Sequence, residues 1–92
     1  GIEIESLLST QPAVNIAQVI GVHDERLFEV ACAYIELIDG KSMTEAEIID
    51  FCKGKIASFK IPRHVRFVDE WPMSSTKIQK YVLRDWYEKE TT

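Results

Sequence analysis

The stretch EVACAYIELID, residues 29–39, decides how this chain folds. It is rich in β-branched and apolar residues, and side chains alternate between the two faces of an extended backbone, so it predicts a strand. One face carries Val30, Cys32, Tyr34 and Glu36, and the other carries Ala31, Ala33, Ile35 and Leu37. Asp39 and Gly40 follow as a turn pair that ends the strand.

The segments before this strand predict a helix and a partner strand. Ile4, Leu7 and Leu8 stand at helical spacing, and Pro12 ends that pattern. The run IAQVIGV, residues 16–22, is β-branched and predicts a strand. The polar run HDERLF, residues 23–28, is then expected to connect the two strands.

The next segment, residues 43–59, predicts the clearest helix. Thr44 and Glu47 have the T-x-x-E spacing of a capping box. An apolar face is expected from residues spaced three and four apart, which are Ile49, Cys52, Ile56 and Phe59. Pro62 is expected to stop the helical pattern.

The last third of the chain predicts a strand, a polar loop and a final helix. The run HVRFVDEW, residues 64–71, is the third strand, and Pro72 opens a loop that contains Lys77. Residues 78–90 have the pattern of an amphipathic helix, with Leu83 on its apolar face. The order α-β-β-α-β-α predicts an α+β fold, a central sheet of about three strands, antiparallel or mixed, with helices against one face.

Composition limits what the chain can do. It has 92 residues, 46% hydrophobic and 28% charged, which suits one compact domain. Its net charge of −4 argues against a general nucleic-acid binder, although Lys and Arg cluster between residues 53 and 84. No apolar run is long enough for a membrane span. Cys32 and Cys52 predict buried free thiols, which suits a reducing, cytoplasmic location.

No complete active site is apparent from the residue types alone. The run PMSSTK lacks the glycine-rich pattern of a phosphate-binding loop, and its Ser and Thr residues are typical of turns and helix caps. Lys77 is then most simply interpreted as a solvated lysine. His23 and His64 form no catalytic grouping, and no metal-ligand spacing is present.

Four stretches in order resemble the C-terminal domain of the acyl-adenylate-forming enzymes, which include acyl-CoA synthetases. EIESLLSTQPAV resembles the family pattern EIE..L..HP.V, and VIGVHDER resembles V.GVPDER. SFKIPRHVRFVDEWP resembles..YK.PR...FVDE.P, and TKIQKYVLR resembles GKI.K..LR. Together they cover almost the whole chain.

The resemblance implies that residues 1–92 are a single mobile C-terminal domain, inactive alone, whose partner is an N-terminal ATP- and acyl-binding domain of the same parent chain. It identifies Lys77 as the lysine of the adenylation step. The parent would use Mg²⁺-ATP, a carboxylic or fatty acid, and CoA. A basic surface formed by Lys53, Lys60 and Arg63 would face the CoA phosphates.

Two departures from the family pattern keep alternatives open. The loop has one residue fewer between Pro72 and Lys77, and Thr76 occupies the place of a glycine; Leu27 and Phe28 replace Trp-Gly. One alternative is a non-catalytic regulatory or partner-binding module of the same fold. Another is the tail of an adenylation domain that serves a carrier protein.

Overall fold

The computed structural model describes residues 2–24, 26, 28–74 and 77–91. The sequence departures at Leu27 and Thr76 and the turn residue Ser75 lie outside the described residues, as does the side chain of Phe28.

A mixed three-stranded sheet forms the centre of the molecule. Strand β1 spans Val14–Asp24, β2 spans Phe28–Leu37 and β3 spans His64–Phe67, in the order β1-β2-β3. β1 and β2 are antiparallel, whereas β2 and β3 are parallel. The predicted α+β class and strand number are confirmed.

The connection predicted at residues 23–28 is strand at both of its ends, at His23, Asp24 and Phe28. His23 pairs with Glu29 and Asp24 pairs with Phe28, so both strands extend into it. The polar composition misled the prediction because these end residues lie beyond the apolar core, where a strand tolerates polar side chains on an exposed surface.

In the part of the chain that the structure describes, three α-helices pack around the sheet: α1 (Ile2–Ser9), α2 (Glu45–Cys52) and α3 (Lys80–Thr91). The predicted capping box at the start of α2 is confirmed. The Glu47 N–H donates to the Thr44 hydroxyl oxygen at 3.2 Å, and the Thr44 N–H donates to Glu47 Oε1 at 2.9 Å. These bonds satisfy two backbone donors that a helix start leaves without partners.

Helix α2 ends earlier than predicted because the chain turns at Lys53 and Gly54. Lys53 has φ −62° and ψ 133°, Gly54 has φ 78°, and the Lys55 N–H donates to the Cys52 carbonyl at 3.2 Å. This is the geometry of a type II turn, which needs a positive φ at its third residue and therefore favours glycine.

The early end changes the predicted apolar face of this segment. Cys52 is fully buried, but the buried residue one turn before it is Ile48, not Ile49. Phe59 lies in a 3-10 turn, Ser58–Lys60, and is 84% exposed instead of packed. Ile56 still packs against the core from outside α2.

Helices cover both faces of the sheet, so the predicted one-sided packing is wrong. Helices α1 and α2 pack on the face that carries Ala33 and Ile35 of β2. Helix α3 packs on the opposite face, against Cys32 and Tyr34. Alternate residues of one strand point to opposite faces, so the two clusters lie on either side of β2. Both faces of β2 are apolar because each is buried under helices.

Candidate functional site

Lys77 lies in a short hairpin between the sheet and α3. Strand β4 (Met73–Ser74) pairs antiparallel with β5 (Lys77–Ile78), and the Gln79 N–H donates to the Pro72 carbonyl at 2.7 Å. The segment predicted as a loop is therefore partly a strand pair. The backbone of Lys77 is held by this pairing, and the next residue, Ile78, packs against the core.

The Lys77 side chain is exposed at the edge of an open concavity. This concavity has a volume of about 680 Å³. Its lining comes from β1, from the hairpin and from the start of α3, and consists of Ile16, Gln18, Met73, Lys77, Ile78, Gln79 and Lys80. Two lysines, Lys77 and Lys80, therefore line the same hollow.

The other predicted basic residues do not join Lys77. Lys53 pairs with Asp50 at 3.0 Å beside the end of α2, and Lys60 pairs with Glu3 of α1 at 3.0 Å. Arg63 is exposed beside a different hollow, which Asp24 and His64 also line. All three lie on the connection from α2 to β3, but each has its own surroundings.

The two cysteines are buried free thiols, as predicted. Burial raises the pKa of Cys32 to about 11, with Arg66 opposing the shift. Burial likewise raises the pKa of Cys52, and nearby Lys55 opposes it. A thiol that stays protonated at neutral pH is a poor nucleophile, so these cysteines are packing residues.

Tyr34 is a buried polar side chain in the core under α3. Burial raises the pKa of its hydroxyl to about 12. Within the described part of the chain this hydroxyl has no hydrogen-bond partner. Its ring contacts Trp86 with centroids 6.3 Å apart. Tyr34 is therefore positioned by the packing of its ring.

An ion pair between Glu5 and Lys80 is the part of the site that sequence reasoning missed. The Lys80 ammonium lies 2.6 Å from Glu5 Oε2, and the two residues are 75 positions apart. No local pattern links them, because the sheet brings them together. Tyr87, buried at 7% exposure, was also missed, although it follows Leu83 at helical spacing.

The described residues contain neither a candidate metal-binding cluster nor a candidate membrane-spanning helix. Among residues 2–24, 26, 28–74 and 77–91, no group of three or more His, Cys, Asp or Glu side chains could hold a metal ion. No helix in that same part of the chain is long and apolar enough to cross a membrane.

Known proteins similar to this chain include enzymes that act on acyl groups. The family model for the AMP-binding enzyme C-terminal domain matches residues 3–78. The chain is 49% identical over 89 residues to a mitochondrial medium-chain acyl-CoA ligase, ACSF2, of Danio rerio, covering 96% of this chain and 15% of that protein. It is 52% identical over 84 residues to the putative acyl-CoA synthetase YngI of Bacillus subtilis (strain 168), covering 90% of this chain and 15% of that protein.

A solved structure supports the same relationship. The chain superposes on ATP-bound MatB from Rhodopseudomonas palustris with a TM-score of 0.91 and 34% identity, covering 99% of this chain and 18% of that one. The chain therefore belongs to the family of AMP-binding enzyme C-terminal domains. It spans about 15% of the length of these two curated relatives.

Proposed function

We propose that this chain is the C-terminal domain of an AMP-forming acyl-CoA ligase and that Lys77 acts in the adenylation half-reaction. The observation that carries the proposal is an exposed ammonium, on a paired hairpin beside an open concavity, in a chain about half identical to acyl-CoA ligases. The resemblance of TKIQKYVLR to the family pattern GKI.K..LR, whose lysine aligns with Lys77, supports this role.

In the first half-reaction, the positive charge of Lys77 would stabilise negatively charged groups as they react. A carboxylate oxygen attacks the α-phosphorus of ATP, a new O–P bond forms, and pyrophosphate leaves with the electron pair of the broken P–O bond. Both partners are negatively charged and repel each other as they approach, and further negative charge develops on the leaving pyrophosphate. The Lys77 ammonium is a compact point charge that would offset this repulsion and orient the attack.

The second half-reaction would use a different part of the domain. The CoA thiol loses its proton to solvent, its sulfur attacks the acyl carbon, and the acyl C–O bond of the adenylate breaks, so that a thioester forms and AMP leaves with the electron pair. Lys53, Lys60 and Arg63 are the proposed contacts for the CoA phosphates. Their position on one connection supports the proposal, but Lys53 and Lys60 would have to exchange their carboxylate partners for phosphate. Substituting Arg63 with Ala should then raise the KM for CoA and leave the adenylation rate unchanged.

The remaining substrates and partners of the parent enzyme are also proposals. ATP use is supported by the ATP-bound state of the related MatB. Mg²⁺ would enter with ATP on the N-terminal domain of the parent chain. The domain would be a lid that changes orientation between the two half-reactions. A cytoplasmic location stays a prediction.

The test is ATP–pyrophosphate exchange in the full-length parent protein. Lys77→Ala should lower exchange about 100-fold or more, the usual size for loss of one group that stabilises developing charge. Thioester formation from supplied acyl-adenylate should be unchanged. The matched control is Lys89→Ala, which removes an exposed lysine from the last turn of α3. Unchanged exchange in Lys77→Ala would contradict the role of Lys77.

The shortened loop favours one other function, a non-catalytic regulatory module of the same fold. The two candidates are separated by inserting a glycine between Thr76 and Lys77 in the parent protein. Exchange in the unaltered protein supports the ligase. Exchange that appears only after the insertion would support a module that has lost the chemistry.

A further inference from the structure

Lys80 occupies an unfavourable place in its own helix. It is the first residue of α3, and the first turn of α3 contains no acidic residue. A cation at a helix start interacts unfavourably with the positive end of the helix dipole, where a carboxylate is preferred. Local preference therefore does not explain this lysine, and a partner elsewhere in the fold must compensate for it.

Lys80 has its partners at the unpaired edge of β1, where Glu5 also lies. The Lys80 ammonium lies 2.6 Å from Glu5 Oε2 and donates to the Val19 carbonyl at 3.3 Å. The Val19 N–H donates to the same Glu5 oxygen at 2.7 Å. β1 is an edge strand, so Glu5 and Lys80 together satisfy both backbone groups of Val19 that no neighbouring strand can reach.

The pair also joins the two layers of helices. Glu5 belongs to α1, on one face of the sheet, and Lys80 belongs to α3, on the other. One turn further along α3, Arg84 Nε lies 3.4 Å from the Gly21 carbonyl, the next outward-facing group of the same edge. Two basic side chains one turn apart therefore join the start of α3 to alternate carbonyl groups along the edge of β1.

The position of Lys77 depends on this contact. Only Ile78 and Gln79 separate Lys77 from Lys80, and the hairpin itself consists of two residue pairs. A hairpin this short has little stability of its own. We infer that Glu5 and Lys80 are a positioning pair: by fixing the first residue of α3 to the edge of β1, they set where the Lys77 ammonium stands. This inference rests on the proposed function of Lys77.

The pair is suited to positioning more than to stabilising the whole domain. The side chain of Lys80 is 38% exposed and that of Glu5 is 18% exposed. Ion pairs with this degree of solvent contact contribute little to global stability. A displacement of about 1 Å in a reacting group, however, is able to cost about 100-fold in rate. Loss of the pair should therefore lower adenylation much more than it lowers the unfolding midpoint.

The experiment uses the full-length parent protein and two separate rate measurements. ATP–pyrophosphate exchange reports adenylation, and thioester formation from supplied acyl-adenylate and CoA reports the second step. Glu5→Gln and Lys80→Met should each lower exchange, by between about 10-fold and about 100-fold, with thioester formation unchanged and the thermal unfolding midpoint lowered only slightly. Lys80→Arg keeps the charge and should retain most of the exchange rate.

A matched control comes from the other end of the same helix. Arg66 Nε donates to Glu90 Oε1 at 2.5 Å. Glu90→Gln makes the same chemical change as Glu5→Gln and removes an ion pair of α3 that lies far along the chain from the hairpin. Exchange in Glu90→Gln should equal that of the unaltered protein.

A double variant separates positioning from direct contact. If Lys80 acts through Lys77, adding Lys80→Met to Lys77→Ala should cause no further loss of exchange. A further loss would overturn the inference and make Lys80 a substrate-contacting residue. Equal losses in both half-reactions together with a lower unfolding midpoint would overturn it in favour of a purely structural pair.

The two proposals fail in different ways. Unchanged exchange in Lys77→Ala removes the proposed function and this inference with it. A large loss in Lys77→Ala, combined with unchanged exchange in Glu5→Gln and Lys80→Met, removes this inference alone.

Discussion

Replacing Leu83 with Ala tests the packing of α3 on the second face of the sheet. Leu83 is fully buried, and with Tyr87 it forms the contribution of α3 to the core around Tyr34. The change removes three carbon atoms, each worth about 0.8 kcal/mol of transfer free energy. The cavity that remains adds to this, so we expect the free energy of unfolding to fall by about 3 kcal/mol.

Urea unfolding of the chain, followed by far-UV circular dichroism, measures this loss. The slope of unfolding free energy against urea should not change, because the surface exposed on unfolding is almost the same. Tyr81→Ala is the control: Tyr81 is in the same helix but 63% exposed, and its replacement should change stability by less than about 0.5 kcal/mol.

The comparison of these two variants is able to refute the packing described above. If Leu83→Ala costs no more than Tyr81→Ala, α3 does not pack on the sheet through Leu83. The contact of Lys80 with the edge of β1 would then lose its structural basis, since the same helix carries both residues.

Three further predictions concern stability. Burial raises the pKa of Cys32 from 9.0 to about 11, so the folded state favours the protonated thiol and gains about 3 kcal/mol of stability from it. This gain is fully present below pH 9 and is lost as the pH rises to about 11. Urea unfolding between pH 8 and 11 should therefore show a smaller fall in the free energy of unfolding for Cys32→Ala than for the unaltered chain. Thr44→Ala removes a confirmed helix cap and should cost about 1 kcal/mol, whereas Thr44→Ser should cost much less, as measured by thermal unfolding. Gly54→Ala places a β-carbon at φ 78° and should cost about 1 kcal/mol through backbone strain alone, since in the described part of the chain no atom beyond its two chain neighbours lies within 4 Å of that carbon. A cost near zero would contradict the type II turn.

Local interactions explain which elements were predictable. The capping box of α2 and the alternation of residues 29–39 involve side chains a few positions apart, so their consequences can be derived from sequence. The early end of α2 was also encoded locally, by Gly54, but the apolar spacing from Cys52 to Phe59 concealed it. The two apolar faces of β2 likewise indicated that both sides of the sheet are covered, but not which element covers the second side.

The chain's own sequence determined the class of fold, the family pattern and the candidate lysine, because each depends on residue types at short separations. Only the tertiary structure decided that α3 covers the second face and that Glu5 meets Lys80 across 75 positions. That meeting depends on the register of β1 and on a sheet edge with unpaired backbone groups. Such a contact is a property of how the elements are arranged in space, and no short pattern of residues specifies it.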